Sequence, residues 1–255
     1  MNLKILRYRI RKKLLHLRLQ PIRVLCIHEV SEVDENSPDW IPTAYFKRTI
    51  LEMQSQGYKF ISLKEAYEHI RSDELLRIRK YAVLTADDGL RCHLEMLPWL
   101  EQHNVPITLC LNVLSLKQTI CGLPYKQWYN IVDKEEDKEY AQRLYISEDE
   151  LKSLTSNFVS FALHGVNHDE AATDISIEEF GKEVTASVDY FIAFKQYIPF
   201  FAYKYGKHSI KTDKLLWSKS IIPILADGEK NYNDSRYIHR EILEVNYKKC
   251  QQKLS

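Results

Sequence analysis

Tyr81-Ala-Val-Leu-Thr-Ala-Asp-Asp-Gly89 decides how this chain is read. A short apolar run ends in two carboxylates and a glycine, which suits a parallel strand buried on both faces. Phe158-Val-Ser-Phe-Ala-Leu163 reads the same way and ends in His164-Gly-Val-Asn-His168. Both polar clusters therefore follow the carboxyl ends of strands, where α/β folds place their chemistry. One carboxylate and two imidazoles leave coordination positions open for water and substrate, as a mononuclear catalytic metal site requires.

Working outward, apolar runs alternate with helical patterns, as repeated βα units do. The expected strands are Ile22 to His28, Lys59 to Ser62, Tyr81 to Ala86, Ile107 to Val113, Phe158 to Leu163, Pro199 to Tyr203 and Ile221 to Ala226. The expected helices are Thr43 to Gln56, Leu63 to Ser72, His93 to Gln102, Glu148 to Leu154, Ile177 to Lys195 and Thr212 to Ser218. Ser147 with Glu150, and Ser176 with Glu179, form capping boxes that start two of these helices. The pattern suits a closed or partly closed barrel, and periodicity alone leaves an open doubly wound sheet available. Residues 116–145, with Trp128, Tyr129 and the acidic run from Asp133 to Asp137, read as the longest loop, suited to a lid or one wall of the substrate groove.

Two neighbouring aspartates in an extended segment point to opposite sides, so one is free to bind a cation while the other handles a proton. Taken alone, an Asp-Asp-Gly run is more often a turn at a strand end. His164 and His168 are four apart, on one helical face or across a short turn. Such a pair alone is more often structural, and the case rests on all these groups occurring together in this order.

That order carries a family resemblance. Thr85-Ala-Asp-Asp-Gly89 resembles the TFDDG motif of the polysaccharide deacetylase (carbohydrate esterase) family, and His164-Gly-Val-Asn-His168 resembles its H-[ST]-x-x-H motif. Phe201-Ala-Tyr-Lys-Tyr-Gly206 is similar to the FAYPYG form of the third motif, with Lys204 where that form has proline. Ala86 stands where the first motif has phenylalanine, and the substrate-positioning arginine of other branches is Ala202 here. The resemblance implies a distorted (β/α) barrel of about seven parallel strands. It implies Asp88, His164 and His168 as ligands of one divalent metal ion and Asp87 as the catalytic base. It also implies an oxyanion donor in the backbone near Tyr203, a late histidine as general acid and a late arginine that orients the base. His239 is the first candidate for the acid, with His208 second, and Arg240 is the candidate orienter. Zinc suits this ligand set, which cobalt, nickel or iron would also tolerate.

Other residues admit two readings each. Tyr203 and Tyr205 suit stacking on a sugar face, or core filling. His28, in Leu25-Cys-Ile-His-Glu-Val30, resembles a Y-H-x-V segment of the family and lines the site floor or packs structurally. Lys204 would free a loop that proline stiffens, and its charge would favour an anionic substrate or mark relaxed selection on the site.

With 255 residues and 45% hydrophobic content, the chain can bury one sizeable core. A net charge of +1 argues against a dedicated nucleic-acid partner. The five cysteines are widely spaced and odd in number, so free thiols are expected, and a reducing cytoplasm is the simplest compartment. Charge is uneven: eight Lys and Arg residues fall within the first 23 positions with no acid, leaving the rest near −7. Leu3, Leu6, Ile10, Leu14 and Leu17 recur at helical spacing, so residues 1–20 form a basic amphipathic segment ahead of a single catalytic domain at 21–255. That segment suits peripheral contact with the inner membrane face, or packing on the domain. The expected activity is metal-dependent removal of an acetyl group from an N-acetylated saccharide in a glycan or glycan precursor. The alternatives are a non-catalytic carbohydrate-binding or scaffold protein and an esterase acting on O-acetyl sugars.

Overall fold

The computed structural model describes residues 20–32, 39–72, 79–117, 144–168, 170–232 and 236–252. The basic segment before residue 20 and most of the loop expected at 116–145, with Cys121, lie outside the described residues. In chain order, β1 (Arg23–Ile27) is followed by a small parallel pair, β2 (Glu29–Ser31) and β3 (Trp40–Pro42), then α1 (Thr43–Ser55), β4 (Tyr58–Phe60), α2 (Leu63–Arg71) and β5 (Lys80–Asp87). Next come α3 (Cys92–Glu95), α4 (Leu97–Gln102), β6 (Ile107–Leu111), α5 (Val113–Leu116), α6 (Glu148–Ser153), β7 (Val159–Leu163), α7 (Ile177–Phe191) and β8 (Tyr197–Ala202). A 3-10 turn, Lys204–Gly206, leads into α8 (Ile210–Ser218), β9 (Ile222–Leu225), β10 (Ile238–His239), β11 (Glu241–Ile242) and α9 (Leu243–Gln252).

The main sheet runs in the order β10, β9, β8, β7, β6, β5, β1, β11, with β4 added beside β5, and every pairing is parallel. Only Arg240 separates β10 from β11, so the two ends of the sheet are one bent strand. Its first half pairs with β9 and its second half with β1. Counted once, that strand closes a seven-stranded barrel. The seven strands expected from sequence match β1 and β4 to β9, but β4 is the extra strand, and the closing strand was not foreseen.

Strand alternation divides the apolar residues into two cores. Val24, Tyr81, Val83, Cys110, Ala162, Ile198, Phe200, Ala202, Ile224 and Ile238 fill one cluster, joined by Leu63, Ala66 and Ile70 of α2. The alternate residues, among them Leu25, Ile27, Leu84, Ala86, Leu109, Phe161 and Phe201, face the larger cluster with Phe46 and Ile50 of α1 and Phe180 and Val184 of α7. Ala86 is fully buried in that outer layer, where its small side chain faces packed helices and not the chemistry.

Both expected capping boxes form, and Ser209 with Thr212 makes a third at the start of α8. The helix expected over His93 to Gln102 divides at Met96 into α3 and α4. Pro98 in the first turn of α4 has no N–H to give and its ring crowds the preceding turn. Cys26, Cys92, Cys110 and Cys250 are all free thiols. Among the described residues no helix is long and apolar enough to cross a membrane.

Candidate metal centre

Asp87 is the last residue of β5, and the chain turns immediately after it. Asp88 and Gly89 both take a φ of 72°, a left-handed conformation that aspartate tolerates better than most side chains and glycine enters freely. This turn brings two consecutive carboxylates to one end of the barrel, facing different partners. The turn is pinned from outside: Ile146 N–H donates to Gly89 O at 2.9 Å and Arg91 N–H to Leu144 O at 2.8 Å.

Asp88 faces two histidines. Its Oδ1 lies 3.2 Å from Nε2 of His164 and 3.2 Å from Nε2 of His168. All three residues are buried. His164 immediately follows β7 and His168 follows a short turn, so it is the turn and not a helical face that aims both rings. Nδ1 of His164 lies 2.8 Å from Ala202 O, which fixes the tautomer with the proton on Nδ1 and leaves Nε2 as an acceptor.

These residues fit a divalent cation. Neither oxygen of the buried Asp88 carboxylate has a hydrogen-bond donor, and a buried anion without donors or a cation is costly. Tetrahedral bonds of about 2.0–2.1 Å would place neighbouring ligand atoms about 3.4 Å apart, close to the two 3.2 Å separations here. The donor set of one carboxylate and two imidazoles matches catalytic zinc-type chemistry.

Asp87 points into the barrel and meets Arg240 in a two-pronged pair, with Nη1 at 2.6 Å from Oδ1 and Nη2 at 2.8 Å from Oδ2. Arg240 is 1% exposed and also donates to Thr85 Oγ1. Burial opposes the charge on Asp87, yet the guanidinium prevails, and the carboxyl stays far below its usual range. Strand alternation puts Arg240 inside the barrel and His239 outside. The structure therefore does not bring His239 to the site: its Nδ1 sits 2.8 Å from Asp227 Oδ2. His208 is likewise turned away, toward Asp213, which also accepts the hydroxyls of Tyr203 and Tyr237.

The histidine that does reach the carboxylates is His28, just beyond β1, the strand beside β5. Its Nε2 lies 3.9 Å from Asp87 Oδ2, and its Nδ1 lies 3.5 Å from Oε1 of the buried Glu244. That same Oε1 accepts the His28 N–H at 2.6 Å. Burial works against the imidazolium, but Glu244, Asp88 and Asp87 outweigh it and push the pKa up to about 10. Sequence spacing gave Glu244 no signal, because its role depends on α9 folding back over β1.

The third motif divides into buried and exposed parts. Tyr203 is 1% exposed and cannot present a face to a sugar, and its N–H is already given to Ile224 O at 3.3 Å, so that amide is not an oxyanion donor. Tyr205 is 60% exposed, its hydroxyl donates to His168 O at 2.7 Å, and its ring meets the His168 ring edge-on at 4.9 Å. Lys204 neither frees the loop nor faces a ligand, for it is buried in an ion pair with Glu183 at 2.7 Å.

Residues 77–219, more than half of the chain, match a family model described as polysaccharide deacetylase. No curated protein sequence matches the chain. Its fold is similar to that of a de-N-acetylase from Aggregatibacter actinomycetemcomitans, with a TM-score of 0.70 at 14% identity over 89% of this chain and 99% of that one. IcaB from Ammonifex degensii gives 0.66 at 19% identity over 88% and 93% of the two chains. Streptococcus pyogenes deacetylase PplD, solved in complex with acetate, gives 0.62 at 18% identity over 86% and 91%.

Proposed function

Because the chain belongs to the polysaccharide deacetylase family, we propose that it hydrolyses the acetamido group of an N-acetylated sugar in a glycan or glycan precursor. Asp88, His164 and His168 would hold one divalent cation, with zinc the best match to the ligand types. The observation that carries this reading is the buried Asp88 carboxylate, which lacks donors and faces two imidazole nitrogens beside an ionised Asp87. The departures at Ala86 and Lys204 leave the reading intact, since Ala86 packs in the outer core and Lys204 is neutralised by Glu183.

Asp87 takes the proton of the attacking water, and Arg240 holds its carboxylate in place. A carboxylate kept so acidic is a weak base, and the cation, when bound, supplies the remedy by lowering the pKa of water to about 7 and polarising the acyl oxygen. As the carbon–nitrogen bond breaks, the leaving amine needs a proton, and His28, with Nε2 3.9 Å from Asp87 Oδ2 and its pKa raised to about 10, is the histidine placed to supply it. The products are acetate and a free amino sugar. Tyr205 offers its exposed ring beside His168 as a surface for a sugar face.

Acetate release from N-acetylglucosamine oligomers and from O-acetylated sugars tests this assignment on protein loaded with metal and desalted. N-acetyl substrates are expected to yield acetate and O-acetyl substrates little. Release only from O-acetyl sugars would reassign the chain as an esterase, and no release at full metal occupancy would leave the hydrolase reading without support.

The role of His28 makes a separate prediction. His28→Gln keeps a hydrogen-bond donor but cannot deliver a proton, so kcat should fall by about 10²–10⁴-fold. A histidine raised to about 10 is protonated below that pH, so the activity that needs its proton is present there and lost as pH rises through it. The stability linked to its charge has the same sense, complete below the unfolded value of about 6.5 and lost through the folded one. A pH–rate profile of the variant that keeps the wild-type alkaline limb would remove His28 from the mechanism.

A further inference from the structure

We propose that the buried Lys204–Glu183 ion pair is a strut that fixes the Gly165–His168 turn and thereby positions the histidines for the cation. The inference rests on the reading of Asp88, His164 and His168 as ligands. Lys204 Nζ donates to Glu183 Oε1 at 2.7 Å and to Asn167 O at 3.1 Å, and the same Oε1 accepts Val166 N–H at 3.0 Å. The pair thus grips the backbone of two residues lying between His164 and His168. Glu183 belongs to α7, whose Phe180, Val184 and Phe191 are buried, so the strut is anchored on a packed helix. The 3-10 turn that carries Lys204 makes a second tie to the same segment through Tyr205, whose hydroxyl donates to His168 O.

Gly165 shows that the pair and the turn are fitted to each other. Its φ is +94°, and a Cβ there would lie 2.6 Å from Glu183 Oε1 and 3.2 Å from Lys204 Nζ. Two departures from the family motifs therefore meet at one contact: Gly165 where H-[ST]-x-x-H has Ser or Thr, and Lys204 where FAYPYG has Pro. A serine at 165 would collide with the carboxylate, and a proline at 204 would leave Glu183 buried without its cation. The stiffness that proline gives a backbone is supplied here by a salt bridge, with the glycine making room for it. An isolated buried ion pair is seldom a better source of stability than apolar packing. What it does supply is direction, and groups that orient metal ligands from behind are worth about 10- to 100-fold in metal affinity.

The test is the zinc dissociation constant of the full chain, measured by competition with a chromogenic chelator, alongside thermal unfolding of the metal-free protein. Lys204→Met and Glu183→Gln are each expected to weaken zinc binding by about 10- to 100-fold. The double variant should bind no more weakly than the worse single one, and Lys204→Arg, which keeps the charge, should retain most of the affinity. If Lys204→Met does not fold, Glu183→Gln, which preserves shape, decides the matter. Variants that unfold at lower temperature yet bind zinc as tightly as the wild type would make the pair merely structural and overturn the strut alone. A wild-type protein that binds no zinc would overturn the proposed metal centre and the strut with it.

Discussion

Asp87→Asn is expected to lower kcat by about 10²–10⁴-fold while the protein still carries close to one equivalent of divalent cation. Asparagine nearly preserves the shape of the carboxylate and removes its proton-accepting charge, and Asp88 remains to face His164 and His168. Asp88→Ala should behave differently, losing the proposed cation and the activity together, because it deletes the carboxylate that faces both imidazoles. Elemental analysis after identical metal loading separates the two variants, and acetate release measures the rest. The assignment of Asp87 as base fails if the asparagine variant retains more than about a tenth of the wild-type rate. Arg240 would sit opposite an uncharged partner in that variant, so thermal unfolding must accompany the rate measurement.

Removal of Arg240 should have the largest effect on stability. Breaking a buried ion pair by deleting one partner costs about 3–5 kcal/mol, because the other charge is left uncompensated. Arg240 and Asp87 are 1% and 3% exposed, so water does little to relieve that cost. Arg240→Met should therefore unfold at markedly lower denaturant, and its pH dependence should change sense. In the wild type the Asp87 pKa lies well below the usual range, so its charge stabilises the fold above the unfolded value of about 3.9. That stability is lost as pH falls through the folded value. Without the guanidinium, burial raises the carboxyl instead, and the acid limb of kcat/KM should move to higher pH. Arg240→Lys keeps the charge but cannot make the two-pronged contact, so an intermediate profile is expected. An acid limb unchanged in Arg240→Met would dismiss the arginine as the group that tunes the base.

Those two residues also show what the sequence reveals and what it hides. The strands β5 and β7 were legible because burial on both faces gives continuous apolar runs, and the Asp-Asp and His-His clusters stand at their ends. The closing strand was hidden because β10 and β11 are two residues each, divided by a charged side chain whose partner lies 153 positions earlier. The resemblance points to a late histidine as proton donor, and His239 answers to that description in sequence. Alternation along a strand turns neighbours to opposite faces, and once Arg240 faces inward, His239 must face out. His28 was harder to weigh, since its nearness to Asp87 comes from β1 lying next to β5, a fact of topology without a spacing signature. Lys204 looked like a loosened loop because only the fold reveals Glu183 beneath it.

The bent strand around Arg240 also ties closure of the barrel to the surroundings of Asp87. Pairing β11 with β1, with the Arg23–Glu241 ion pair beside it, joins parts of the chain as much as 218 positions apart. Closing so long a loop is entropically unfavourable until the intervening units have docked. Asp87 gains its guanidinium only when that strand pairs, so an open barrel leaves the proposed base without its partner. On the proposed mechanism, closure of the barrel and tuning of the base are one event, and turnover in a refolding mixture is expected to report that closure.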